Sequence, residues 1–244
     1  IRRAAAITVN SCSADDKCLG FGASAERVRL VRYPGVDRER FRPMARDEAR
    51  RALGISAGKV ILCPRGLGGY LNSDVIVEAA AGVAREWPDA LFLFVSGVGG
   101  EAERENHRQM ARSLGIEKNC RFDGQVPWEA MPTYYGASDA MVSISSNDSL
   151  PNCMMEAMAC GVPVILGDIS QLREWIDDGI NGFLVPPREP STLAERILRI
   201  LRDVDGSVAG FSSRNLDLVA REFDSASNGR EVKDLVRRVA GRAP

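Results

Sequence analysis

The sequence predicts a doubly wound, Rossmann-like α/β fold with a parallel sheet, and three observations predict it. Six short apolar runs rich in β-branched residues are spread over residues 59–187, as suits strands buried on both faces. Between them lie stretches with apolar residues at helical spacing, so the repeating unit is a strand followed by a helix. A length of 244 residues with 45% hydrophobic content is enough to bury one large core or two smaller ones.

The elements follow in order. The runs are KVILCPR (59–65), ALFLFVSG (90–97), CRFDG (120–124), DAMVSIS (139–145), PVIL (163–166) and GFLVPP (182–187). Helical spacing marks SDVIVEAAAGVAREW (73–87), EAERENHRQMARSLG (101–115), PWEAMPTYYGAS (127–138) and TLAERILRILRDV (192–204). In a sheet of this kind ligands sit at the carboxyl ends of the strands. The first forty residues break the rhythm: AAITVNS, DDKCLGFGA and RVRLVRYPGVD read as strand, helix and strand, and GVDRERFRP, with Gly35 and Pro43, as a linker. Two strands cannot bury their own faces. Either they extend the edge of the main sheet, or residues 1–37 are the tail of a domain whose greater part precedes Ile1, which is the expectation adopted. Its strands should then lack native sheet partners and leave Ile7, Val9, Val28 and Leu30 without a matching layer. Residues 38–244 form the second unit, the sheet with its C-terminal helices.

Composition narrows the function. With 32 basic and 33 acidic side chains, the chain lacks the basic surplus that nucleic acid binding needs. Any charged ligand must be held by local groups. The cysteines, Cys12, Cys18, Cys63, Cys120, Cys153 and Cys160, form no CxxC pair, and His107 is the single histidine, so no zinc site is expected. They read as reduced, mostly buried thiols of a cytosolic protein. His107 stands in a polar helical segment and is expected to face solvent. No apolar run reaches the roughly 20 residues that span a bilayer, and IRRAAAITVNS lacks the features of a signal peptide. Peripheral membrane contact stays open. No GxGxxG follows the first strand, which argues against a dinucleotide-dependent oxidoreductase.

The stretch SSNDSLPNCMMEAMACGVPVIL (145–166) carries the chemistry. It begins where DAMVSIS ends, at a strand's carboxyl end. Pro151 suits the first turn of a helix, with Asn152 behind it, running to Cys160 before Gly161 stops it. Free N–H groups near Asn152 and Cys153, with the helix dipole, make an anion site. Glu156, about one turn on, offers a two-lobed acceptor suited to paired hydroxyls such as those of a ribose. Asp148 faces the same space from the loop. A second local reading has Asp148 and Asn152 capping the helix and Glu156 as a solvated surface acid. Met154, Met155 and Met158 read as core.

The order of an acid, seven residues and a glutamate, then AMACGVPVI and GINGFLVPP, resembles the donor-binding half of retaining glycosyltransferases of family 4, which have the GT-B architecture. The resemblance covers nearly the whole chain. AAAITVNS is similar to the end of that family's first domain, RLVRYPGVDRERFRP to its interdomain connector, PDALFLFVSGVGG to a strand and glycine turn, and RFDGQVPWEAMPTYYGASD to the loop beside the base.

The resemblance implies a hexosyltransferase acting on a nucleoside-diphosphate sugar, without metal or other cofactor, with the acceptor held mainly by a preceding domain. The acceptor would be a sugar, a lipid-linked group or a small molecule, and the protein cytoplasmic, at most at the inner face of the membrane. It assigns catalytic roles to Arg65, at the diphosphate, to Asp148, at the sugar where the family usually has glutamate, and to Glu156, on the ribose. It also brings Ser96 and Gly97 close to the donor, has the backbone at Gln125 and Val126 read the base, and places Ser149, Leu150, Pro151, Asn152 and Cys153 under the phosphates. One departure stands out. The family commonly places a lysine shortly after that arginine, whereas RGLGGYLNSD has none. Tyr70, Asn72 and the amides of GLGG are the substitutes on offer. The same departure motivates the alternative of a catalytically silent nucleotide-sugar-binding or interaction domain, and the chain alone is expected to transfer no sugar.

Overall fold

The computed structural model describes residues 1, 3–95, 98–203 and 206–241. The chain opens with β1 (Ile7–Val9), α1 (Cys12–Gly20) and β2 (Val28–Leu30), and after a connector comes α2 (Arg46–Ala52). The alternating part follows: β3 (Val60–Cys63), α3 (Ser73–Ala84), β4 (Leu91–Val95), α4 (Gly100–Ser113), β5 (Cys120–Gly124), α5 (Met131–Gly136), β6 (Ala140–Ser143), α6 (Asn152–Ala159), β7 (Val164–Gly167) and β8 (Phe183–Val185). Three helices close the chain, α7 (Pro190–Arg202), α8 (Ser207–Glu222) and α9 (Ser225–Ala240).

The six later strands form one parallel sheet in the order β5-β4-β3-β6-β7-β8. Each of the six apolar runs thus holds a strand. Their side chains alternate between two cores, because successive residues of a strand point to opposite faces. Ile61, Phe92, Val142 and Ile165 pack on one side with Val77 of α3 and Ile197 of α7. Leu62, Leu93, Met141 and Leu166 pack on the other with Tyr135 of α5, Val219 of α8 and Met154, Met155 and Met158 of α6. Burying each such methionine contributes about 1.5–3 kcal/mol, which explains why α6 is apolar apart from the residues at its start and Glu156.

β1 and β2 pair with each other in parallel, as a separate two-stranded sheet. They do not extend the edge of the main sheet, and among the described residues each has the other as its strand partner. Val9 and Val28 are buried and Ile7 and Leu30 half-buried. The small sheet is also anchored: Glu174 accepts from the Cys12 and Ser13 amides at the start of α1, at 3.0 and 3.2 Å. The Ser149 hydroxyl meets Asn10 Oδ1 at 3.0 Å.

The sheet's strand order places the site. From β3 the chain moves outward through β4 and β5, then returns to β6 on β3's other side and continues to β7 and β8. The loops leaving β3 and β6 therefore diverge, opening a crevice at the strands' carboxyl ends. Arg65 leaves β3 and Asp148 leaves β6.

Candidate active site in the β3–β6 crevice

An open cleft of about 400 Å³ lies there, lined by Pro64, Arg65, Met131, Tyr135, Asp148, Leu150, Pro151, Asn152, Cys153 and Glu156. Seven residues singled out in the sequence thus share one space: Arg65, Asp148, Leu150, Pro151, Asn152, Cys153 and Glu156. A neighbouring cavity of about 370 Å³ shares Arg65 and Asp148 and adds Ser149, Tyr70 and Lys17 of α1. Ser149 therefore faces the adjoining space, its hydroxyl already engaged by Asn10.

Arg65 Nη2 lies 3.1 Å from Asp148 Oδ2, an ion pair across the mouth of the crevice. Oδ1 accepts the Ser149 amide at 2.9 Å. Oδ2 is out of solvent without an aligned hydrogen-bond donor among the described residues, so the Arg65 contact is one of charge and leaves an acceptor lone pair open.

α6 begins one residue later than the sequence suggests. Pro151 is extended, φ −70° and ψ 129°, and occupies the N-cap. The amides of Met154 and Met155 bond back to its carbonyl. Asn152 and Cys153 are left as the free donors of the first turn among the described residues. Asn152 makes no side-chain cap, so it does not play the capping role the second local reading assigned. Burial pushes the Cys153 thiol up to about 11, with Arg65 opposing it; it is protonated at neutral pH and adds no negative charge beside the helix start.

Glu156 is half-buried and held at both oxygens, which corrects the reading of a solvated surface acid. The Trp128 indole donates to Oε1 at 3.1 Å and the Tyr135 hydroxyl to Oε2 at 2.8 Å. Burial raises the Glu156 pKa, and these two hydrogen bonds lower it. Tyr135, fully buried, is itself pushed well above its ordinary value by burial and by Glu156, so it remains a donor. Each oxygen still has a lone pair for a ligand.

Trp128 and Tyr135 carry no flag in the sequence. The one signal is a tyrosine on the buried face of α5, where an apolar residue would pack as well without needing a partner. Gln125 is exposed and Val126 half-buried in the loop after β5; neither lines the cleft, and the loop reaches it through Trp128. Ser96 and Gly97 lie outside the described residues.

The loop from Arg65 to Asn72 differs from expectation at two points, since neither the Gly68 amide nor the buried Asn72 side chain is left to offer a phosphate. The Gly68 amide turns inward to the Ser73 hydroxyl at 2.6 Å, which removes it from the donors GLGG offers a phosphate. Asn72 ties the loop to the other wall, donating to the Ile144 carbonyl at 2.8 Å and to Ser146 Oγ at 2.7 Å. His107 is not at the surface: it is 5% exposed and bonded to Ser73.

Among the described residues, no group of three or more His, Cys, Asp or Glu side chains is placed to hold a metal ion. All six cysteines are free, with Cys63, Cys153 and Cys160 buried. Among the described residues, no helix is long and apolar enough to cross a membrane.

A six-stranded parallel sheet with its charged crevice at the switch point matches the GT-B glycosyltransferases. HepE from Anabaena, solved in complex with UDP, superposes with a TM-score of 0.85 at 22% identity, covering 97% of this chain and 65% of that one. The C-terminal domain of the glycosyl transferase group 1 family protein LpcC from Francisella tularensis gives 0.71 at 22% identity, over 78% of this chain and 99% of that one. The chain belongs to the family of glycosyl transferases group 1, whose profile matches residues 45–209. It is 38% identical over 189 residues to the D-inositol 3-phosphate glycosyltransferase of Geodermatophilus obscurus, a match covering 74% of this chain and 42% of that protein. The chain thus spans less than half the length of this relative.

Proposed function

We propose that this chain supplies the donor site for retaining transfer of a hexosyl group from a nucleoside-diphosphate sugar to an acceptor hydroxyl. What carries the reading is the placing of Arg65 and Glu156 in one cleft with the start of α6 beside them. The grouping suits a nucleoside diphosphate: Glu156 takes the ribose hydroxyls, and Arg65 and the Asn152 and Cys153 amides take the diphosphate. Asp148 accepts a hydroxyl of the sugar. UDP bound to HepE and the name of the Geodermatophilus relative support this class of chemistry.

In the reaction the bond from the anomeric carbon to the diphosphate oxygen breaks and its electron pair leaves with the diphosphate. The acceptor oxygen bonds to the same face of that carbon, and its proton passes to the departing phosphate oxygen. Arg65 and the α6 amides act most strongly as charge grows on the leaving group, which lowers the barrier instead of only tightening binding. An arginine contact of this kind contributes about 1.5–3 kcal/mol. In this reading the cation and the helix do the work of a metal. Residues 1–37 belong to a preceding domain that holds most of the acceptor site, residues 38–244 form the donor domain, and the setting is the cytoplasm, at most the inner membrane face.

Calorimetric titration with UDP, GDP and ADP tests the site. Glu156→Ala should remain folded and bind the preferred nucleotide at least tenfold more weakly, on the order of a lost charge-assisted hydrogen bond. Equal affinity in variant and parent would remove Glu156 from the site. The silent-domain alternative, motivated by the missing lysine, predicts the same binding but no turnover by the longer protein.

A further inference from the structure

Ser73 and His107 are both withdrawn from solvent, at 2% and 5% exposure, and form a chain of hydrogen bonds running from α4 into the β3–α3 loop. His107 Nδ1 lies 2.7 Å from the Glu103 carbonyl, and Nε2 lies 2.8 Å from Ser73 Oγ. A carbonyl only accepts, so Nδ1 carries a proton, and Nε2 shares a hydrogen bond with the Ser73 hydroxyl. Ser73 Oγ in turn accepts the Gly68 amide at 2.6 Å.

The loop needs such a hold. Gly68, Gly69 and Asn72 all adopt left-handed backbone conformations, with φ of 83°, 56° and 53°. For Asn72 this region is disfavoured, and it persists only where the surroundings fix it. α4 supports the loop from behind, since a Cβ at Gly68 would stand 3.2 Å from the Glu103 carboxyl. From the front, Asn72 and the Ser146 amide, which donates to the Tyr70 carbonyl at 2.8 Å, bind it to the β6 wall. The loop's two ends, Arg65 and Tyr70, line the cavity beside Asp148.

We propose that Ser73 and His107 are positioning residues for the diphosphate: through the Gly68 amide they fix the loop so that Arg65 and Tyr70 stand ready for it. The proposal rests on the nucleotide-binding reading above. The pair touches no substrate and acts only through the loop, so its removal should affect the diphosphate end of the ligand and spare the nucleoside end, which is held across the cleft by Glu156.

The test compares Ser73→Ala and His107→Phe with the conservative variants Ser73→Thr and His107→Gln, at a temperature where circular dichroism shows each folded. Affinity is measured for UDP and for uridine. The expected result is about a tenfold loss for UDP in Ser73→Ala, of the size of one disturbed charge-assisted contact, with uridine within twofold of the parent. Ser73→Thr should recover UDP binding, as should His107→Gln relative to His107→Phe. A lower melting temperature with unchanged UDP affinity would show a purely structural role and overturn the proposal. So would equal losses for UDP and uridine. If either histidine variant fails to fold, Ser73→Ala against Ser73→Thr decides alone. Absence of binding by the parent to all three of UDP, GDP and ADP would reject the nucleotide-site reading and this proposal together. If GDP or ADP is preferred, that nucleotide and its nucleoside replace UDP and uridine. Binding by the parent with no change in Ser73→Ala rejects only this proposal.

Discussion

Tyr135 donates its hydroxyl to Glu156 across 2.8 Å from a position wholly out of solvent. The bond fixes one carboxylate oxygen while Trp128 fixes the other, so the acid is oriented before any ligand arrives. Tyr135→Phe keeps the ring and removes the bond. Because that bond lowers the Glu156 pKa, its loss should raise it further. UDP affinity should fall about tenfold at neutral pH, as for a lost hydrogen bond to a charged group, and the pH at which binding is half lost should move upward. Titration of UDP across pH 4.5–8 measures both.

Burial raises the Glu156 pKa above the ordinary value of 4.5, and this has opposite consequences for binding and for stability. Ribose hydroxyls need the carboxylate, so nucleotide affinity should be full above the raised pKa and weaken as pH falls through it. The folded chain, in contrast, holds the proton more tightly than the unfolded chain. Glu156 therefore contributes to stability fully below the ordinary value, and that contribution is lost as pH rises through the raised pKa. Between the two values, lowering pH should weaken UDP binding and make this group's share of stability more favourable. Glu156→Gln should remove both trends. Chemical denaturation and calorimetry at matched pH values check it.

Asp148 and Arg65 neutralise each other at 3.1 Å, so a diphosphate must compete with a carboxylate for the guanidinium. Asp148→Asn removes the competitor. Affinity for UDP, which lacks the sugar, should therefore increase by roughly twofold to fivefold, in keeping with a partly exposed ion pair. A weaker complex with UDP would mean that Asp148 holds Arg65 in place instead of competing for it.

The fold was legible because parallel strands buried on both faces must be apolar throughout, and each of the six runs holds one. Boundaries were less so: PWEAMPTYYGAS begins with a short 3-10 turn at Trp128–Ala130 before α5, and it is this turn that sets Trp128 against Glu156. The start of α6 was legible from Pro151 and its polar neighbours. The clasp on Glu156 was not, since Tyr135 stands among residues that only pack. His107 shows the opposite failure. Its sequence neighbours are polar, yet it lies one helical turn before Ala111, and both are buried on the inner face of α4. The period, not the local polarity, held the information.

EDTA should leave UDP affinity unchanged, and magnesium added afterwards should restore nothing. Arg65 and the amides of Asn152 and Cys153 supply the positive potential in this reading, and among the described residues no group of three or more His, Cys, Asp or Glu side chains could hold a metal ion. Loss of binding on chelation, with recovery on adding magnesium, would assign the diphosphate to a metal ion and not to these groups.

Glu174 is one tie between the main domain and the small sheet of β1 and β2, through the Cys12 and Ser13 amides. Two strands bury too little to hold themselves, so local opening of this segment should be far easier than opening of β4, at the centre of one half of the main sheet. Amides of residues 7–9 and 28–30 should exchange faster than those of 91–95. Glu174→Ala should raise exchange at 7–20 and 28–30 and leave 91–95 unchanged. A second reading comes from Cys12, whose thiol pKa is raised first by burial and then by Glu174. Removing the carboxylate lowers that pKa and increases the thiolate fraction, so alkylation of Cys12 by iodoacetamide at pH 8 should accelerate in Glu174→Ala. Unchanged exchange at 7–20 together with an unchanged alkylation rate would mean that contacts such as Ser149 to Asn10 hold the segment without Glu174.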